Sequence, residues 1–179
     1  TLLRSPELRR RLAHNARCLV EQRYDWRQIG VRFAQLVEAA AEVFGEVGFH
    51  NATVREICRR AEANIAAVNY HFGDKEQLYA EVLRHAHGRA LEKYPPLLGL
   101  DEKAPAEEKL RAFIHSLLLR IFDDNPTACH GKLMSHEMIM PTDALDTLVE
   151  EFIRPMSRQL FGIVAEILGC SPEDERARQ

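Results

Sequence analysis

Seven residues within one short span, Asn64, Ala66, Ala67, Asn69, Tyr70, His71 and Lys75, have the side chains that reading DNA requires. Alanine lets a helix come close to base edges, asparagine pairs with an adenine edge, and tyrosine, histidine and lysine reach phosphate oxygens. Thr53 and Arg55 stand just upstream and add a hydroxyl and a guanidinium of similar use. Each also fits a plainer account: Ala66 and Ala67 as tight packing points, Thr53 as a helix cap in any fold, Tyr70 as a half-buried core ring.

A second cluster, CHGKLMSHEMIM from Cys129 to Met140, gathers sulfur, imidazole and carboxylate. Cys129, His130, His136 and Glu137 are ligand types for zinc or copper, and Met134, Met138 and Met140 suit Cu(I). Their spacing matches no metal motif, and methionine is more often adaptable core filling, so no metal and no cofactor is expected. The better use is a wall for a small-molecule effector. Met134 with Phe113 and Phe152 would supply apolar surface, and His115, His136 and Glu137 the polar hooks. Catalysis has no candidate. The chain lacks G-x-S-x-G, a phosphate-binding glycine loop and H-E-x-x-H, because His136-Glu137 is followed by Met138, Ile139 and Met140.

The elements that must hold the first cluster are legible in the spacing. After GFHNA, Thr53 can cap a helix whose apolar Val54, Ile57, Cys58 and Ala61 recur every three or four residues, leaving Arg55, Arg59 and Arg60 outward. The chain turns at Glu62-Ala63. Asn64 then caps a second helix with apolar Ile65, Val68 and Phe72, ended by Gly73, and Asp74 caps a third running from Lys75 to about Lys93. Two short helices around a tight turn form a helix-turn-helix.

The segment LVEAAAEVFGEVGFHNATVREICRRAEANIAAVNYHFGDKEQLY, Leu36 to Tyr79, resembles the TetR/AcrR transcriptional regulators and their pattern AAxxxFxxxGxxxTTxxxIAxxAGVSxxxxYxxFxxKExL. Ala40, Phe44, Gly48, Thr53, Ile57, Ala61, Phe72, Lys75, Glu76 and Leu78 fill its framework. Glu62 replaces the usual turn glycine, and Asn69 stands where many members carry tyrosine. NIAAVNYHF and KLMSHEMIMPTDALDTLVEEFIRPM are similar to the CecR-like branch. The resemblance implies that Thr53 and His71 touch phosphate, that Lys75 touches phosphate or a helix terminus, and that Ala66, Ala67, Asn69 and Tyr70 read bases. It also implies a homodimer on a palindromic operator of double-stranded DNA. An effector in the C-terminal region would tilt the helix from Lys75 and release the DNA, which makes the protein a repressor.

Composition agrees. The 179 residues are 46% hydrophobic, enough for one sizeable core or two small helical domains, and carry a net charge of −3. The charge is uneven. Residues 1–32 hold eight arginines against three acids, whereas 101–179 carry nine basic and fifteen acidic residues. The helix-turn-helix is nearly neutral, so the basic arm would supplement its attraction to phosphate, or else present a solvated helix face. Cys18, Cys58, Cys129 and Cys170 form no C-x-x-C pair, and no apolar run approaches the roughly twenty residues of a membrane span. A reduced, cytoplasmic protein without membrane contact is expected.

The arm itself, SPELRRRLAHNARCLVEQRYDWRQIGVRF, reads as a helix capped by Ser5 with a break near Tyr24-Asp25. It resembles the C-terminal tail of GT-B glycosyltransferases, often "ELRRRLGENARRLVEERYDW", but is too short to hold a sugar-nucleotide site. It is expected to pack on the DNA-binding domain as an extra helix. Beyond Tyr94, Pro95, Pro96 and Pro105 mark a bent connection, followed by amphipathic helices over Ala106 to Phe122 and Asp143 to Leu168. The expected fold is all-α, with a basic arm over 1–29, a three-helix DNA-binding domain over 30–80, and a helical effector-binding and dimerisation domain over 81–179. That last domain is expected to be C-terminally truncated, short of two helices. The alternative from another class is a helical interaction module, a chimeric fragment that does not act on DNA.

Overall fold

The computed structural model describes residues 5–23, 26–123, 129–171, 173–174 and 177, and of 19–23 and 26–29 the backbone alone. Nine α-helices and no strand occur among them: α1 (Pro6–Arg23), α2 (Trp26–Asn51), α3 (Val54–Arg60), α4 (Ile65–His71), α5 (Lys75–Lys93), α6 (Ala106–Ile121), α7 (His130–Ile139), α8 (Ala144–Leu148) and α9 (Arg154–Leu168). A π-helical turn, Val149–Ile153, joins α8 to α9.

Three side chains start the helices around the turn. Thr53 Oγ1 accepts from the Glu56 amide at 3.2 Å, Asn64 Oδ1 from Ala66 at 3.0 Å, and Asp74 Oδ1 from Gln77 at 2.8 Å. Each satisfies an amide left without an intrahelical partner. Behind them, Leu36, Val37, Ala40, Val43 and Phe44 of α2 close over Ile57, Cys58, Val68, Phe72, Leu78, Tyr79, Val82 and Leu83. Burying a side chain such as Phe44 contributes about 2–3 kcal/mol. The same core continues to Leu133 of α7 and Leu148 of α8. The helix-turn-helix region and the C-terminal region therefore share one core and one helix, since α5 crosses position 80.

Gly48 breaks the end of α2 at φ 75°, ψ 168°, and a Cβ there would meet His136 Nδ1 at 3.0 Å. In the expected long helix over Asp143 to Leu168 the π turn is the departure. Pro155 has no amide to give to the carbonyl four residues back, and its ring crowds that carbonyl, so widening the preceding turn accommodates it. The break expected near Tyr24-Asp25 lies outside the described residues. The expectation that the arm packs on the DNA-binding domain is corrected. Residues 6–17 of α1 are all exposed, Leu8 and Leu12 included, and α1 makes no extensive contact with another helix. Its basic residues surround too narrow an apolar stripe to bury against a neighbour.

Candidate nucleic-acid interface

The turn between α3 and α4 is made by Glu62, which takes φ 50°, the left-handed conformation that glycine ordinarily supplies. The Ala63 amide closes it on the Cys58 carbonyl at 2.9 Å. With Val68 and Phe72 facing the core, the opposite side of α4 presents Asn64, Ala66, Asn69 and Tyr70 to solvent, and Tyr70 is 84% exposed. An aromatic side chain so exposed is no core ring. His71 is half-buried, edge-on to Phe33 at 6.0 Å and to Tyr70 at 5.0 Å between ring centres. A concave surface beside the turn brings Arg32 and Gln35 of α2 to Asn64, Ala67, Tyr70 and His71.

The three arginines of α3 are not equivalent. Arg59 and Arg60 both bind Glu56, Arg60 also binds Glu46 at 2.7 Å, and together they hold the Glu56 carboxyl down to about 2. Arg55 is exposed and pairs with no described acid. Lys75 points inward. Its Nζ donates to the carbonyls of Phe49 at 3.0 Å and Ala52 at 3.2 Å and sits over the Phe49 ring at 4.3 Å. It ties the first turn of α5 to the end of α2, so of its two expected roles the helix terminus is occupied here.

Farther along α5 lies a cavity of about 200 Å³, walled by Glu38, Ala41 and Glu42 of α2, by His85, Ala86, Arg89, Ala90 and Lys93 of α5, and by Arg120, Asp123, Cys129 and His130. Arg89 pairs with Glu38 at 3.5 Å and Lys93 with Asp123 at 2.6 Å. Beside the cavity, His130 Nδ1 lies 3.2 Å from the Arg120 carbonyl and its Nε2 2.9 Å from His87 Nδ1. A carbonyl only accepts, so Nδ1–H of His130 donates to it and His130 Nε2 accepts from His87. Burial lowers both histidines, His87 to about 4, so both are neutral near pH 7.

The chain is similar to known proteins. The model of bacterial regulatory proteins of the tetR family matches residues 36–82, and that of the C-terminal domain of the HTH-type transcriptional dual regulator CecR matches 106–179. The Shigella flexneri dual regulator CecR is 35% identical over 150 residues, 79% of this chain and 67% of that protein. The HTH-type transcriptional regulator BetI of Escherichia coli O17:K52:H18 is 30% identical over 155 residues, 78% and 80% of the two chains. The chain belongs to the TetR family. Among solved structures, the hemolysin II transcriptional regulator HlyIIR superposes with a TM-score of 0.61 at 28% identity, over 79% of this chain and 75% of its own. This TetR-family protein is thus an all-helical, DNA-binding transcriptional regulator with an N-terminal helix-turn-helix, and not an enzyme.

None of the six residues expected to form the effector wall of this TetR-family regulator lines this cavity. Glu137 is 1% exposed and consumed: Tyr79 Oη donates to it at 2.7 Å and the Thr142 amide at 3.0 Å. Burial and this carboxylate push the Tyr79 phenol well above its ordinary range. His136 reaches back to the Gly45 carbonyl at 3.3 Å, Phe152 packs on His87 at 4.4 Å, Met134 lies against the core, Phe113 is buried in α6, and His115 faces solvent. This cavity is therefore walled by residues other than those six, because segment proximity says nothing about which side of a helix meets a given void. Sequence reasoning passed over Arg120 and His87 of the cavity region and Arg32 and Gln35 of the groove, and met His130 only as a possible metal ligand. A charged residue in the apolar run LLLRIF was the one signal that could have singled out Arg120.

Proposed function

We propose that this regulator is a homodimeric repressor that binds a palindromic operator and leaves it when a small molecule occupies the cavity along α5. The observation that carries the reading is the solvent face of α4, where Asn64, Ala66, Asn69 and Tyr70 are displayed on a helix whose other side is anchored in the core. Asn69 and Tyr70, with Ala66 and Ala67, are the base readers, and Thr53, Arg55 and His71 hold the phosphates on either side. Asn64 serves as cap and flank. Lys75 acts on DNA through the helix terminus it locks.

Release is supported by the path of α5. The helix begins under the helix-turn-helix at Lys75 and ends at Lys93 against the cavity, so a ligand pressing on Arg89 or Ala90 acts on the element that orients α4. Dimerisation through the C-terminal region is supported by apolar side chains left exposed on α6 and α9, namely Ile114, Leu117, Leu118, Ile121, Ile167 and Leu168. The organisation follows: a basic arm over 1–29, DNA reading over 30–80, effector binding and dimerisation over 81–179.

Fluorescence anisotropy on the chain's own upstream DNA and on a scrambled duplex, at two salt concentrations with the oligomeric state measured in parallel, tests this. Sequence-dependent binding by a dimer is the expected result. Equal affinity for both duplexes would overturn the reading in favour of a helical interaction module.

A further inference from the structure

Three acids, Glu38, Glu42 and Asp123, and three cations, Arg89, Lys93 and Arg120, line the cavity, but the cations are not equally paired. Two of its cations have acids beside them, Arg89 with Glu38 and Lys93 with Asp123. Arg120 takes part in no ion pair among the described residues, although it is 2% exposed and among the largest fully buried side chains of the molecule. Its Nε reaches the Ser116 carbonyl at 3.3 Å, its Nη1 lies 2.9 Å from the Met156 sulfur, and its Nη2 has no hydrogen-bond partner. A guanidinium stays protonated even when buried, so this is an uncompensated charge taken out of water, an arrangement that proteins avoid unless something supplies the counter-charge.

The neighbours do not supply it. His130 and His87 are neutral, and their hydrogen-bond chain runs away from the Arg120 guanidinium, starting at its backbone carbonyl. Met156 offers only a weakly accepting sulfur. Of the rest of the wall, Glu42 lies 4.0 Å from Arg60 and His85 sits on α5, while Ala41, Ala86 and Ala90 are small and apolar, which leaves room for a compact body and not for an extended one.

We infer that the cavity takes a small organic anion, a carboxylate on a compact apolar body, with Arg120 as its counter-ion. The inference rests on the reading of this cavity as the effector site and names the ligand class. A carboxylate meets a guanidinium with paired, charge-assisted hydrogen bonds, so Arg120, which lines the cavity and whose Nη2 has no partner, is the donor a carboxylate there would recruit. The ligand body fills the space between α2 and α5, and the anion tethers α6 to that body. Binding thereby joins the helix that carries Arg120 to the helix that sets the position of α4.

The test uses the full chain with carboxylates and their neutral amides as pairs: benzoate and benzamide, phenylacetate and phenylacetamide, hexanoate and hexanamide, with inorganic phosphate as a bare anion. Melting followed by circular dichroism and operator anisotropy are read on the same samples. A carboxylate is expected to raise the melting temperature by about 5 °C at saturation and to weaken operator binding about tenfold, its amide doing neither. Arg120→Met, which keeps the volume and removes the charge, abolishes both responses. Ala90→Leu, which narrows the cavity and leaves Arg120 in place, abolishes them too and serves if the first variant does not fold. Carboxylates indistinguishable from their amides or from phosphate, or a response that survives either variant, would overturn the inference. Operator binding untouched by any anion would sink the anion site and leave the repressor standing, whereas anion binding by a chain that discriminates no operator would sink the repressor alone.

Discussion

The solvent face of α4 and the wall around Arg120 are both polar surfaces, yet they are built in different ways. The first displays neighbouring residues of one short helix, with its donors open to water and its N-terminus capped by Asn64. The second is assembled from α2, α5, α6 and the start of α7, and its central cation is sealed among residues distant in the chain. A surface for a large, rigid, highly charged partner can be laid along a single helix, because the partner supplies the concavity. A site for a small molecule must enclose it, and enclosure needs several elements.

The join between the two regions should be the most costly to damage. Glu137→Ala removes the acceptor of the buried Tyr79 hydroxyl and of Thr142, so a loss of about 3 kcal/mol of unfolding free energy is expected in urea titration. A change below about 1 kcal/mol would mean that the link between α5 and α7 is not what holds the regions together.

Next in size is the DNA face. Tyr70→Ala should weaken operator binding by about 1–3 kcal/mol while leaving the urea midpoint in place, because the ring packs on nothing but the edge of His71. Lys75→Ala separates the two kinds of surface from the other side. It should lower stability by about 1–2 kcal/mol by freeing the Phe49 and Ala52 carbonyls; lost affinity with an unshifted midpoint would instead make it a phosphate contact.

Acid should act on the cavity region and spare the DNA face. His87 and His130 titrate lower in the folded protein than their ordinary value near 6.5, so the unfolded chain takes up protons first as pH falls. Stability is full above about pH 6.5 and declines toward pH 4, and the melting temperature at pH 5 should lie below that at pH 7.5. In His87→Phe that difference should shrink; if it does not, the histidine pair is not the acid-sensitive element. The smallest effect is expected at the turn, where Glu62→Gly relieves a left-handed side chain against the entropy of glycine and should raise stability by at most about 0.5 kcal/mol.

The sequence was most readable where one short segment contains its whole explanation. Thr53, Asn64 and Asp74 cap helices because an amide two or three residues away is always within reach of such side chains, whatever the rest of the chain does. The period of Val54, Ile57 and Val68 likewise determines which side of α3 and α4 turns inward. Local spacing failed on α1, whose arginines permit a helix but give it too little apolar surface to dock. It failed again on α7, where His136 and Glu137 are consecutive and each is committed to a different partner helix, α2 and α5.

By itself, then, the order of residues determined the helix-turn-helix and which residues of α4 face solvent, because these depend on contacts a few positions apart. Only the tertiary structure decided that Lys75 is turned inward to hold α2, that Glu137 is spent on Tyr79, and that Arg120 stands alone beside a cavity. Burial and partnership are properties of packed neighbours, and those neighbours come from helices whose separation in the chain leaves no mark in local spacing.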